Sequence, residues 1–351
     1  MKGNEAIAEA AIRAGCRHFF GYPITPQSEL AAYMAKRMPE VGGLYLQAES
    51  EVAAINMVYG ASGAGARAMT SSSSPGISLK QEGISYLAGS ELPAVIVNIM
   101  RGGPGLGNIM PSQADYFQAT RGGGHGDYRT VVFTPATVQE LVTVTMKAFD
   151  VADRYRNPVM ILGDGILGQM MEPVVLPEDA PPPPPKPWAT TGRRGRARNV
   201  INSLYLDPVE LEAVNLKLQE KFDRMKETEV MWEAVDVEDA EVVIVAYGIT
   251  ARISRTAMEQ AREEGLAVGL LRPITVWPFP EGAVDEIVRR GVVKRFLAVE
   301  MSLGQMVEDV RLAVNGRVPV AFYGRTGGIW PEPREVLEAL RAAAGKVGAR
   351  E

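Results

Sequence analysis

The stretch ELPAVIVNIMRGGPGLGN, Glu91 to Asn108, holds an apolar run that ends abruptly in an arginine and a cluster of glycines. Its run AVIVNI (Ala94 to Ile99) is near-continuously apolar rather than alternating, as in a strand covered by helices on both faces. Similar short runs recur on either side: HFFGY (His18 to Tyr22), LYLQ (Leu44 to Gln47), RAMTS (Arg67 to Ser71), TVVF (Thr130 to Phe133) and VMIL (Val159 to Leu162). Helical patterns separate them, and that alternation predicts a parallel α/β sheet. Ligands of such sheets bind beyond the carboxyl ends of the strands. The candidate site segments are therefore GYPITPQSE, QAESEVAA, TSSSSPG and IMRGGPGLGN. Four glycines in the six positions Gly102 to Gly107 allow close backbone approach to a ligand. Arg101 offers a fork of donors matched to a carboxylate. The alternative for this segment is a mobile surface loop with an exposed arginine.

Further out, composition changes after Gly163. Pro177 to Pro187 has seven prolines in eleven positions, followed by RRGRAR (Arg193 to Arg198), which reads as an extended, exposed linker. Asp207 to Glu229 reads as a charged surface helix with Asp207 as N-cap and Pro208 at its first position. A second α/β pattern starts at EVVIVAYG (Glu241 to Gly248) and continues through AVGLLRP, VVKRFLAVE and VPVAFYG. The expected division is 1–176, a connecting stretch 177–237, and 238–351. The 351 residues carry a net charge of −5, with 46% hydrophobic and 23% charged residues. Such a balance opposes a nucleic-acid footprint and intrinsic disorder. No apolar run reaches membrane-spanning length. One cysteine, Cys16, excludes an internal disulfide or a thiolate-held cluster on this chain alone, and two histidines exclude a multi-His site. A cytoplasmic protein with no nucleic-acid or membrane partner is expected.

Three motifs invite misreading. GAGARA (Gly63 to Ala68) spells a dinucleotide fingerprint, but a helix precedes it and a strand follows, the reverse of what that fingerprint needs. It reads as a helix C-terminal turn. Gly163-Asp164-Gly165 resembles the opening of a magnesium–diphosphate motif, yet the nearest downstream asparagine is Asn199, beyond the proline tract; a tight turn after a strand is the better reading. In SSSSPG (Ser71 to Gly76), Ser74 and Pro75 read as N-cap and first residue of a helix, whose N–H groups either hold an anion or are simply capped. Glu49 and Glu51 begin the helix after LYLQ, where carboxylates meet the helix dipole. The run VAAINMVYGASGAGA behind Glu51 is uncharged, so that helix is expected to be buried in the domain or an interface, with a perturbed carboxylate at its head.

Taken together, GYPITPQSE within Gly3 to Glu29, QAESEVAA and TSSSSPG within Leu46 to Gly83, VNIMRGGPGLGN, and NPVMILGDGILGQMMEP closely resemble the α subunit of 2-oxoacid:ferredoxin oxidoreductases. The 3-methyl-2-oxobutanoate branch looks nearest, and LRPITVWPFP (Leu271 to Pro280) resembles the C-terminal domain of the transketolase group. The resemblance implies a pyrimidine-binding thiamine-diphosphate domain with a parallel sheet, plus a smaller transketolase C-terminal-like α/β domain. It implies that Glu51 faces N1′ of the aminopyrimidine, favouring the imino tautomer, with Glu49 less favoured. It further implies that Thr25 and Arg101 orient the substrate carboxylate, and that Pro23, Thr25, Glu51 and Arg101 line the cofactor. No residue of this chain is assigned to a metal: a β subunit is to supply the diphosphate–Mg2+ half, and γ or δ subunits the iron–sulfur clusters. Coenzyme A is the implied co-substrate and ferredoxin the electron acceptor. 2-Oxoglutarate is the alternative substrate; a non-catalytic partner of the β subunit and a non-redox enzyme sharing the cofactor domain are the alternative functions.

Overall fold

A computed structural model describes residues 1–178 and 180–345. The N-terminal part runs α1 (Gly3–Arg13), β1 (His18–Gly21), α2 (Ser28–Glu40), β2 (Leu44–Gln47), α3 (Glu51–Gly63), β3 (Ala68–Ser72), α4 (Ser74–Gly89), β4 (Ala94–Met100), α5 (Tyr116–Thr120), β5 (Val131–Phe133), α6 (Val138–Tyr155), β6 (Pro158–Asp164) and α7 (Gly165–Gln169). Then come α8 (Pro208–Thr228), β7 (Trp232–Val235), β8 (Val242–Val245), α9 (Gly248–Glu263), β9 (Val268–Pro273), β10 (Thr275–Trp277), α10 (Glu281–Arg289), β11 (Arg295–Glu300), α11 (Met306–Val314), β12 (Val320–Gly324) and α12 (Pro333–Ala343).

The apolar runs become strands because helices bury them on both faces: every residue of β3, β4, β5 and β6 is buried. The first sheet has the order β10-β5-β6-β4-β3-β1-β2, and the second β12-β11-β8-β9-β7. Within the first, β1 to β6 pair in parallel and β10 joins β5 antiparallel, with Thr275 opposite Phe133. Thus a three-residue strand from the far end of the chain completes the first sheet. Strand β7 lies within the stretch 177–237 but pairs antiparallel with β9, Glu233 opposite Arg272. At the other edge, LYLQ is not doubly covered, because β2 has a single neighbour and leaves Leu44 and Leu46 exposed.

The connection after α7 lies along the N-terminal domain. Pro181 to Pro185 are exposed as expected, but the segment is pinned at both ends: Ala180 N–H donates to Arg13 O, and Thr190 N–H to Gly63 O, both at 2.8 Å. Helix α8 starts as read from sequence, the Asp207 carboxylate accepting from Val209 N–H. It is not purely a surface helix, for Leu218, Phe222 and Met225 are buried and Phe222 meets Trp277 edge-on.

Polar contacts lock the two domains. Gln113 accepts from Met301 N–H at 3.0 Å and Thr250 Oγ1 at 3.2 Å, and donates to Tyr247 O at 2.9 Å. Buried Arg272 spans Glu233 on β7 and Glu140 on α6 with three hydrogen bonds of 2.7 to 2.9 Å. These positions hold the loops of the second domain over the carboxyl ends of the first sheet.

Candidate active site

Strands β4, β3, β1 and β2 are consecutive in the sheet, so the segments leaving their carboxyl ends converge. After β2, Ser50 caps α3 by accepting from Ala53 N–H at 3.2 Å, and Glu51 is the first helical residue. Glu51 is 6% exposed whereas Glu49, two residues earlier, is open to solvent. The uncharged run behind Glu51 forms a helix with one exposed side, including Val52, Asn56 and Gly60, so it is half-buried in the chain rather than enclosed.

After β3, helix α4 begins one residue earlier than the sequence suggests, with Ser73 at the N-cap position and Ser74 and Pro75 inside its first turn. The reason lies in the partners of Ser74. Its N–H donates to Asn98 Oδ1 at 3.1 Å, and its hydroxyl donates to Asp115 Oδ2 at 2.6 Å and accepts from Arg101 N–H at 3.0 Å. Asp115 also accepts from Asn98 Nδ2 at 2.8 Å, and burial pushes its carboxyl above the ordinary range. Capping is therefore internal, from Asn98. The first turn abuts Glu51: a Cβ on Gly76 would overlap Ser72 Oγ and come within 2.6 Å of Glu51 Oε1. Two turns further, a Cβ on Gly83 would meet Ile55 at 2.5 Å, so the two glycines let α3 and α4 pack closely.

After β4, Arg101 is 7% exposed and structurally committed, which removes the reading of an exposed arginine on a free loop. Its Nη1 donates to Thr25 O at 3.1 Å and its Nη2 to Leu106 O at 3.0 Å. The guanidinium thus ties the segment Tyr22 to Pro26 to the glycine-rich loop. That loop closes through Gly102 N–H to Met110 O at 2.9 Å, and Asn108 Nδ2 reaches Gly327 O of the second domain at 2.9 Å. Pro23 and Thr25 are exposed on the rim, Thr25 meeting Arg101 through its carbonyl.

Three buried polar atoms in these segments, Ser72 Oγ, Ser73 Oγ and Arg101 Nε, have no hydrogen-bond partner among the described residues. Such groups are costly unless a ligand or water meets them. Together with the Glu51 carboxylate they offer an acceptor, two hydroxyls and a cationic donor. That donor set fits a planar heterocycle bearing ring nitrogens and an amino group.

The other motifs resolve as structure. Gly63 ends α3 and Ala68 opens β3, so GAGARA is a helix-to-strand turn. Asp164 caps the short helix α7, accepting from Ile166 and Leu167 N–H at 3.0 Å each, and burial pushes its carboxyl up to about 6. No group of three or more His, Cys, Asp or Glu side chains among the described residues is placed to hold a metal ion. No described helix is long and apolar enough to cross a membrane. Asn98, Asp115 and Lys80 went unread in the sequence. Lys80 was signalled by spacing, since Gly76, Ile77, Lys80, Gly83, Ile84 and Leu87 repeat at helical intervals and all are buried.

Residues 9–236 match the family described as pyruvate flavodoxin/ferredoxin oxidoreductase, thiamine diphosphate-binding, and residues 240–336 match pyruvate:ferredoxin oxidoreductase core domain II. The chain is 55% identical to ketoisovalerate oxidoreductase subunit VorB of Methanothermobacter thermautotrophicus, over 98% of this chain and 97% of that one. It is 38% identical to 2-oxoglutarate synthase subunit KorA of Methanocaldococcus jannaschii, over 97% of this chain and 98% of that one. Among solved structures, 2-oxoglutarate:ferredoxin oxidoreductase from Magnetococcus marinus, with 2-oxoglutarate, coenzyme A and succinyl-CoA bound, is similar at TM-score 0.85 and 27% identity. The likeness covers 98% of this chain and 64% of that chain, so this chain spans just under two thirds of its length.

Two mostly parallel α/β domains with this convergent rim define a thiamine-diphosphate enzyme subunit. The chain belongs to the thiamine-diphosphate-dependent 2-oxoacid:ferredoxin oxidoreductase family. The fold class and family expected from its sequence are borne out. Relatives named as subunits place it in a multi-subunit enzyme.

Proposed function

We propose that this chain is the α-type subunit of an enzyme that oxidatively decarboxylates a branched-chain 2-oxoacid, 3-methyl-2-oxobutanoate, to acyl-CoA and CO2 while reducing ferredoxin. The buried carboxylate of Glu51, at the head of an uncharged helix and beside unpartnered Ser72 and Ser73 hydroxyls, carries this reading. The substrate is favoured by the 55% identical ketoisovalerate relative over the 38% identical 2-oxoglutarate one.

Thiamine diphosphate, when bound, supplies the nucleophilic carbon and the electron sink that decarboxylation needs. The Glu51 carboxyl would face the ring nitrogen of the aminopyrimidine and exchange a proton with it. Arg101, fixed by Thr25 O and Leu106 O, presents positive charge to the substrate carboxylate, and Pro23 and Thr25 wall the site. The lone cysteine, Cys16, is buried with its thiol pushed up to about 12, which suits a structural thiol rather than a cluster ligand. The clusters and the diphosphate–Mg2+ half of the site then belong to γ or δ and β subunits, coenzyme A is the acyl acceptor, and the complex works in the cytoplasm.

The test is the coexpressed complex, assayed by thiamine- and coenzyme A-dependent viologen reduction on 3-methyl-2-oxobutanoate, 2-oxoglutarate and pyruvate. Glu51→Gln is expected to lower kcat/KM by about 100-fold or more, the range for loss of one transition-state interaction. Full activity of Glu51→Gln would make the chain a structural partner instead. Highest kcat/KM on 2-oxoglutarate would overturn the branched-chain assignment.

A further inference from the structure

Helix α4 carries a lysine where its periodicity calls for an apolar side chain. Lys80 is 0% exposed, one helical turn after Gly76, the residue whose missing Cβ makes room for Glu51 Oε1. Its ammonium donates to Thr70 Oγ1 at 2.8 Å and Ser71 O at 2.9 Å, both on β3 and both neutral. An amide donor could serve Thr70 without the cost of burying a charge. Only the charge reaches further, and the group it reaches is Glu51, which acts on Lys80 electrostatically.

We propose that Lys80 is a positioning residue that sets the proton affinity of Glu51, as the buried counter-charge of that carboxylate. The proposal rests on the reading of Glu51 as the group facing the aminopyrimidine. The other charges around this end of α4 are Asp115, bound to Ser74 and Asn98, and Arg101, whose guanidinium donates to Thr25 O and Leu106 O, while β3 presents no charged side chain. Burial pushes the Lys80 ammonium down to about 7, with Glu51 pulling it back up. Coupling is reciprocal, so whatever the carboxylate does for the ammonium, the ammonium does for the carboxylate. The positive charge of Lys80 therefore favours the carboxylate form of Glu51.

Two measurements test this. In the full chain labelled with 13Cε-lysine, the Lys80 resonance, assigned by its loss in Lys80→Arg, should titrate near 7 and fall by about one unit or more in Glu51→Gln. Titration near the ordinary 10.5, or no response to Glu51→Gln, would overturn the coupling. In the assembled enzyme, Lys80→Met should move the acid limb of the kcat/KM profile upward by about one pH unit, and Lys80→Arg, which keeps the charge, should leave it in place. A uniform loss at every pH with the limb unmoved would mean a purely structural lysine and sink the proposal. If Lys80→Met does not fold, Lys80→Gln, which retains a donor for Thr70, carries the same comparison. Failure of the underlying reading looks different: Glu51→Gln would stay active while the resonance of Lys80 still responded to it.

Discussion

Burying a lysine has a price in stability as well as a use, and the sign follows from its titration. The unfolded chain keeps the Lys80 proton up to about 10.5, the folded chain only to about 7. Between those values the unfolded state binds more protons, so folded stability rises with pH across that window and this group adds no slope below it. Wild type should therefore gain on Lys80→Met as pH rises from 7 toward 10.5, by at most about 1.4 kcal/mol per pH unit for one proton. Thermal melts of both chains across that range check it; parallel curves would mean that Lys80 titrates normally in the fold. Arg101 contrasts with Lys80. Its guanidinium is oriented by two backbone carbonyls, so its fork of donors is held in one direction.

Helices α3 and α4 meet through absent side chains. In an ordinary helix interior, replacing glycine by alanine gains about 1 kcal/mol. At Gly76 the new methyl would overlap Ser72 Oγ and crowd Glu51 Oε1, so the helix would form at the expense of the carboxylate's position. Gly76→Ala is expected to keep wild-type helical circular dichroism while lowering viologen reduction by the complex about 100-fold, the cost of displacing a catalytic group by about 1 Å. Near-wild-type activity would show that Glu51 has room to spare. The strands around these helices were legible because burial on both faces demands unbroken apolar runs. Helix α4's start was misread by one residue, since Asn98, from the neighbouring strand, supplies the cap that local sequence assigns to Ser74.

Between the domains, one glutamine side chain joins three segments. Gln113 serves Met301 N–H, Thr250 Oγ1 and Tyr247 O in a buried interface, where each group stripped of its partner costs about 1–3 kcal/mol. Gln113→Leu should lower stability by about 3 kcal/mol overall, seen as a lower thermal midpoint or as separate melting of the two domains. An unchanged melt would assign the interdomain lock to Arg272 and its two glutamates instead. This lock matters to the site because Asn108 of the glycine-rich loop bonds Gly327 of the second domain, so loosening one domain frees the loop beside Arg101.

Local pattern alone was enough for the parallel α/β class, the proline-rich connection and the start of α8, and it marked Glu49, Glu51 and Arg101 as candidates, whereas the preference for Glu51 came with the family resemblance. Each depends on residue type and spacing: apolar runs for covered strands, acids before an uncharged helix, an arginine at a glycine-rich strand end. Tertiary structure decided what depends on partners distant in sequence. Strand β10 is three residues long and has meaning only against β5, and β7 only against β9. The exposure of β2 follows from being last in the sheet, and the burial of Lys80 within electrostatic reach of Glu51 from the close packing of two helices through glycines. A charge on a helix reads as surface until the neighbouring element arrives, because burial and electrostatic partnership belong to the packed molecule and not to the chain.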